Sequence, residues 1–110
     1  MRMPAHPARG DIELTAVFHA LSDPVRLGIV VDLLDGGEAS TGGLAIPIHK
    51  SSLSHHLKIL REAGVTFTRL QGTHRFLSLR REDLEARFPG LLDAVAAASS
   101  GAGRSRWYAA

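Results

Sequence analysis

Apolar residues fall into separate stripes along the chain, and each stripe has the period of a particular element. Ile12, Leu14, Val17, Phe18 and Leu21 form a mostly one-sided stripe that predicts a first helix. Ser22-Asp23-Pro24 reads as a break and restart, with a polar cap before proline at a first helical position. A second helix places Leu27, Val30, Val31 and Leu34 at the i, i+3, i+4, i+7 spacing of a buried face, and Asp35-Gly36-Gly37 ends it. One short helix fits within 40–46, limited by Pro47. The clearest stripe is Leu53, Leu57 and Leu60, in a helix over 51–63 that Gly64 stops as a C-cap.

Two β-prone runs follow, 65–70 and 74–79, around the turn Gln71-Gly72-Thr73, and they predict a hairpin. Residues 80–98 are helical again, interrupted at Pro89-Gly90, with Leu84, Phe88, Leu91, Leu92 and Val95 as their stripe. Residues 1–10 read as a flexible arm. The stretch 99–110 is rich in Gly, Ser and Ala and reads as a flexible tail carrying Trp107 and Tyr108. One domain over 11–98 remains, mainly α with a small β-hairpin. A short helix, a tight connection, an amphipathic helix and then a hairpin make a winged helix-turn-helix.

At 110 residues and 45% hydrophobic, the chain supplies one core. A domain this small buries only about two-thirds of its unfolded surface, so pairing two copies would cover apolar faces that one copy cannot. The stripes Ile12, Leu14, Val17, Phe18, Leu21 and Leu91, Leu92, Val95 exceed what a small winged helix needs internally, and they predict a homodimer with these residues at its interface. The chain has no cysteine, which removes disulfides and thiolate metal sites together. Residues 1–10 hold Pro, His and Gly where a signal peptide needs an apolar core, and no apolar run approaches the roughly 18 residues of a membrane span. The expectation is a cytoplasmic protein with no membrane partner.

Charge is unevenly spread. Between His49 and Arg81 stand Lys50, Lys58, Arg61, Arg69, Arg75, Arg80 and Arg81 against the single acid Glu62, whereas residues 1–48 are net acidic. A basic centre of this kind is an electrostatic footprint for a polyanion, and equally the mark of a solvated charged surface. On a wheel of 100° per residue, with the three leucines inward, the outer face of 51–63 carries Ser51, His55, Lys58 and Glu62, flanked by Ser54 and Ile59. Short hydroxyls, a histidine and lysines near a helix N-terminus suit the DNA major groove. The same serines also suit simple helix capping. His56 falls near the leucine side, the position of a buried, hydrogen-bonded histidine. Arg69, His74 and Arg75 sit on the hairpin, where an arginine-bearing wing clamps phosphate or enters a minor groove, or simply keeps an exposed hairpin in solution.

Three segments resemble the ArsR/SmtB family of repressors. Leu21-Ser22-Asp23-Pro24-Val25-Arg26-Leu27 is similar to the opening of that family's second core helix. The run from Lys50 through Ser51-Ser52-Leu53-Ser54-His55-His56-Leu57-Lys58 to Gly64 is similar to its recognition helix almost residue by residue, and Arg69-Leu70-Gln71-Gly72-Thr73 to its arginine-x-x-glycine wing turn. The resemblance covers about residues 12–97. It implies a homodimeric transcriptional regulator, a repressor in most of the family, that presents two recognition helices to a palindromic operator. The DNA-binding set it marks out is Lys50, Ser51, Ser52, Ser54, His55, Lys58, Arg69, Gln71, Gly72, His74 and Arg75.

The family's metal-sensing members use cysteines near the short third helix, where this chain reads Ser40-Thr41-Gly42-Gly43-Leu44, or Asp, His and Glu along the last helix, where it has no histidine. Metal sensing is therefore not carried over, no cofactor is expected, and the effector, whether a small molecule or another signal, is unnamed. Catalysis is not expected: the chain has no Gly-x-Ser-x-Gly elbow, phosphate loop or His-Glu-x-x-His. The alternative is a winged helix used as a protein–protein module, which predicts an apolar or acidic reading face.

Overall fold

The computed structural model describes residues 4–44 and 46–99. Its elements in chain order are α1 (Leu14–Leu21), α2 (Pro24–Gly36), β1 (Ala39–Ser40), α3 (Lys50–Glu62), β2 (Thr66–Gln71), β3 (His74–Leu79), α4 (Arg81–Arg87) and α5 (Leu91–Ser99), with single 3-10 turns at Arg9–Asp11 and Thr41–Gly43. The strands form one antiparallel sheet in the order β1-β3-β2. Helices α1, α3 and α5 and strand β3 all pack against α2. This is the winged helix-turn-helix architecture that the sequence predicts.

The break between α1 and α2 forms as read. The Asp23 carboxylate accepts from the amides of Val25 (2.9 Å) and Arg26 (3.1 Å), and Pro24 occupies the first turn where no amide is needed. The buried face of α2 is wider than its predicted stripe: Ile29, Val30, Val31 and Leu33 are buried, whereas Leu27 and Leu34 are only half covered. With neighbours on several sides, a central helix has no single inner stripe to read.

The core joins Ile29, Val30 and Leu33 of α2 to Val17, Leu60, Val65, Leu77 and Leu84. Ile12 and Val17 are 1% exposed within this core. That corrects their assignment to a subunit interface, since neither has surface left to offer. Ile12 precedes α1 instead of lying on it, and its side chain is wedged under the α3–β2 junction at Gly64.

The short helix expected within 40–46 is also corrected. Ala39–Ser40 pair with Phe76 and Leu77 as a third strand, and a single 3-10 turn follows. Two successive glycines, Gly42 and Gly43, with Pro47 close behind, disfavour any longer helix. Residues 4–10, part of the stretch read as a flexible arm, make contacts with the domain. His6 stacks on Phe67 at 4.3 Å and accepts the Thr68 amide at 3.0 Å, the Pro7 carbonyl accepts from Arg80 at 2.7 Å, and Arg9 meets Asp83 at 2.6 Å. Four separate contacts hold the segment to β2, to Arg80 just ahead of α4, and to α4 itself. Trp107, Tyr108 and the rest of the predicted tail beyond Ser99 lie outside the described residues. Among the described residues no single helix is long and apolar enough to cross a membrane.

Candidate nucleic-acid interface

Helix α3 is cut to length by its ends. His49 is its N-cap residue, and no side chain caps it. Ser51 therefore does not cap the helix; it lies inside the first turn and is exposed. Lys50, Ser51, Ser52, Ser54, His55 and Lys58 are all exposed, Leu60 is fully buried, and Leu53 and Leu57 are half-buried. Ile59, read as a flank of the outer face, instead packs against the core.

His56 lies on the inner side, as the wheel placed it, and it joins a polar junction that sequence reasoning missed. The guanidinium of Arg26 is 7% exposed and donates from Nε to the Ala20 carbonyl (2.8 Å) and from NH2 to the His19 carbonyl (3.2 Å). Those are C-terminal carbonyls of α1, which need donors and carry the negative end of the helix dipole. The third nitrogen, NH1, lies 3.1 Å from His56 Nδ1, and Asp23 stands 3.9 Å from the same imidazole nitrogen. Since an arginine only donates, Nδ1 is the acceptor and the imidazole is neutral. One side chain thus ties α1, α2 and α3 together and sets the orientation of α3.

Burial pushes the His56 imidazole below its ordinary value of 6.5; Asp23 opposes this, and Arg26 and His55 add to it. His6 is lowered too, first by burial and then by the cations Arg80 and Arg61. A depressed histidine leaves the folded state neutral while the unfolded chain takes up protons below about pH 6.5. Stability is thus complete above that value and is lost as the pH falls from it through the folded-state values. Urea titrations at pH 8 and pH 5.5 should show a lower midpoint in acid, and His56→Gln, which carries no titrating group, should flatten part of that dependence.

The wing turns on Gly72 and Thr73, between the paired residues Gln71 and His74. Gly72 has φ +61°, the left-handed backbone that mirror-image two-residue hairpin turns require. Gln71, His74 and Arg75 are exposed at its end. The two wing arginines differ. Arg75 has no partner among the described residues. Arg69 forks onto Glu38 at 2.8 and 3.2 Å, donates to the Gln71 side chain at 2.7 Å, and lies over the Phe76 ring at 4.5 Å. The Arg69 hydrogen bonds hold the Glu38 carboxyl below its usual range. Arg69 and Gln71 therefore brace the wing against the loop before β1. Sequence distance hid this pairing, because Glu38 was counted with the acidic first part of the chain.

The exposed α3 face and the Arg75 side of the wing present hydroxyls, imidazole and cations from two adjacent elements. Comparison with known proteins agrees. Residues 21–66 match a helix-turn-helix domain model. The chain is 40% identical over 82 residues to the uncharacterized HTH-type transcriptional regulator YceK of Bacillus subtilis, covering 72% of this chain and 82% of that protein. The chain belongs to the ArsR-like winged helix-turn-helix transcriptional regulators. The transcriptional repressor SdpR of Bacillus subtilis is 42% identical over 71 residues, 63% of this chain and 78% of SdpR. A crystal structure of the ArsR family regulator RHA00566 superposes with a TM-score of 0.59 at 27% identity, covering 89% of this chain and 98% of that one. As an ArsR-like regulator, the protein is a DNA-binding transcription factor, and its surface is read below in those terms.

Proposed function

We propose that this ArsR-like regulator is a homodimeric repressor acting in the cytoplasm, and that it binds an imperfect palindrome with half-sites about one or two helical turns apart. The observation that carries the reading is the outer face of α3, where Ser51, Ser54, His55 and Lys58 are exposed together beside Arg75, which has no partner among the described residues. In this reading Ser54 and His55 reach base edges, while Lys50, Lys58 and Arg75 meet phosphates. Leu14 and Phe18 support the dimer: they are 39% and 53% exposed on α1, and the half-buried Leu21, Leu91, Leu92 and Val95 extend the same apolar character. SdpR, a repressor by name, supports the sign of regulation.

Gel shifts on the gene's own promoter, run as a salt series, test the reading. Affinity should fall steeply with salt, the slope following the number of phosphates neutralised. Failure to bind at low salt would overturn the operator assignment, and a monomer by ultracentrifugation at micromolar concentration would overturn the dimer. Within the series, His55→Ala should cost about 1–3 kcal/mol on the cognate site and much less on random duplex. Arg75→Ala should weaken both about equally and lower the salt slope by about one.

A further inference from the structure

Between α3 and the wing lies a cleft of about 690 Å³, closed at one end by the turn after β1. Lys50 and Arg61 reach it from α3, and Arg75 and His74 from β3. Hydroxyls of Thr41, Ser54, Thr68 and Thr73 line it, Leu57 and Leu77 form part of its apolar wall, and no carboxylate borders it among the described residues. Arg61 is the unusual member. It is only half exposed, and among the described residues its buried Nε has no hydrogen-bond partner and no acid or carbonyl pairs with its guanidinium. Every other partly buried arginine of this chain for which contacts are described is satisfied: Arg26 by carbonyls, Arg69 by Glu38, Arg80 by Asp83 and Pro7. Held by no described acid or carbonyl, the Arg61 guanidinium keeps donors for an occupant of the cleft that it lines.

We propose that this cleft is a phosphate seat anchored on Arg61. A guanidinium offers forked donors that match a phosphate's oxygens, and Lys50 and Arg75 add charge from opposite walls. The hydroxyls supply further donors, and the leucine wall suits the carbon skeleton of a small phosphorylated compound. The phosphate has two sources: a free compound, or the backbone of DNA already engaged by α3 and the wing. The second source rests on the operator-binding reading above, whereas the first does not. A free occupant would bridge the recognition helix and the wing, and it would compete with DNA for Lys50 and Arg75.

The probe is inorganic phosphate, titrated into the full chain without DNA and followed by amide NMR at constant ionic strength, with chloride as control. Saturable shifts at Thr41, Ser54, Thr68 and Thr73 that vanish in Arg61→Gln are expected for the free source. For the DNA source, Arg61→Gln should lose about five- to tenfold affinity at moderate salt, with the log–log slope reduced by about one. A response in one arm alone assigns the source. Circular dichroism checks the fold, and Arg61→Lys, which keeps the charge without the fork, replaces the glutamine variant if that variant does not fold. If both are unfolded, the titration of the unaltered chain decides alone. No localised shift with phosphate and no change in DNA affinity or slope overturns the proposal. Failure of the unaltered chain to bind any promoter would sink the operator reading and leave the phosphate titration standing.

Discussion

Replacing Arg26 with methionine is expected to destabilise the fold by about 2–4 kcal/mol, because each buried acceptor left without its donor costs about 1–3 kcal/mol and water recovers only part of that. Two acceptors lose their donor at once, the Ala20 carbonyl and the Nδ1 of His56, while the His19 carbonyl keeps the amide and hydroxyl of Ser22. Methionine matches much of the arginine stem, so the loss reports the guanidinium and not an empty space. Lysine should recover little, since a point charge cannot reach three acceptors in a fork. Urea unfolding at pH 8 measures the change, which is a large share of the roughly 5–15 kcal/mol that holds a small domain together. DNA affinity should fall as well under conditions where the variant stays folded, because α3 would lose its tie to α1. A variant as stable as the parent would show that the junction does not organise the fold.

Gly64→Ala is expected to be comparably damaging for a different reason. Gly64 closes α3 with φ +84°, a conformation that costs an L side chain about 1–2 kcal/mol. A Cβ there would also lie 2.6 Å from Ile12 Cγ1 and 2.9 Å from its Cδ1. Ile12 is buried and has nowhere to retreat, so overpacking adds about 1–3 kcal/mol. Asparagine separates the two causes, since it accepts left-handed backbone more readily than alanine does. If strain alone mattered, Gly64→Asn would be the milder change. With the clash in force it should be no better than alanine, as thermal melts of the two variants would show.

What was legible in the sequence follows from how local each signal is. Helix α3 was expected over 51–63 and spans Lys50–Glu62, because a leucine stripe and a terminal glycine both lie within the helix itself. The strand over 74–79 was legible for the same reason, its glycine turn being adjacent. Strand β1 was not, since two residues have no periodicity and pair only because β3 lies alongside. The exposed face of α3 was legible as a wheel apart from Ile59, and His56 was turned to the inner side. The partners of its residues were not. Arg26 and His56 are 30 residues apart, and Glu38 and Arg69 are 31, so no spacing rule connects them. The apolar stripe before α2 had the further difficulty that hydrophobicity does not say which surface a residue covers. Leu14 and Phe18 face outward, while Ile12 and Val17 complete the subunit's own core.

The place of His6 beside β2 bears on whether the edge of the sheet stays closed to other strands. Strand β2 is an outer strand of the sheet, and an outer strand offers main-chain donors to any extended segment that drifts alongside. Here the Thr68 amide already has an acceptor, the His6 imidazole, and the Phe67 ring next to it is roofed by the same side chain. Once protonated, that imidazole accepts nothing, so acid both uncovers an aromatic ring and reopens a strand edge. Clumping of the purified protein in mildly acidic buffer would then begin at this border by strand addition, ahead of any general unfolding. In that account His6 acts as a guard rail against that route.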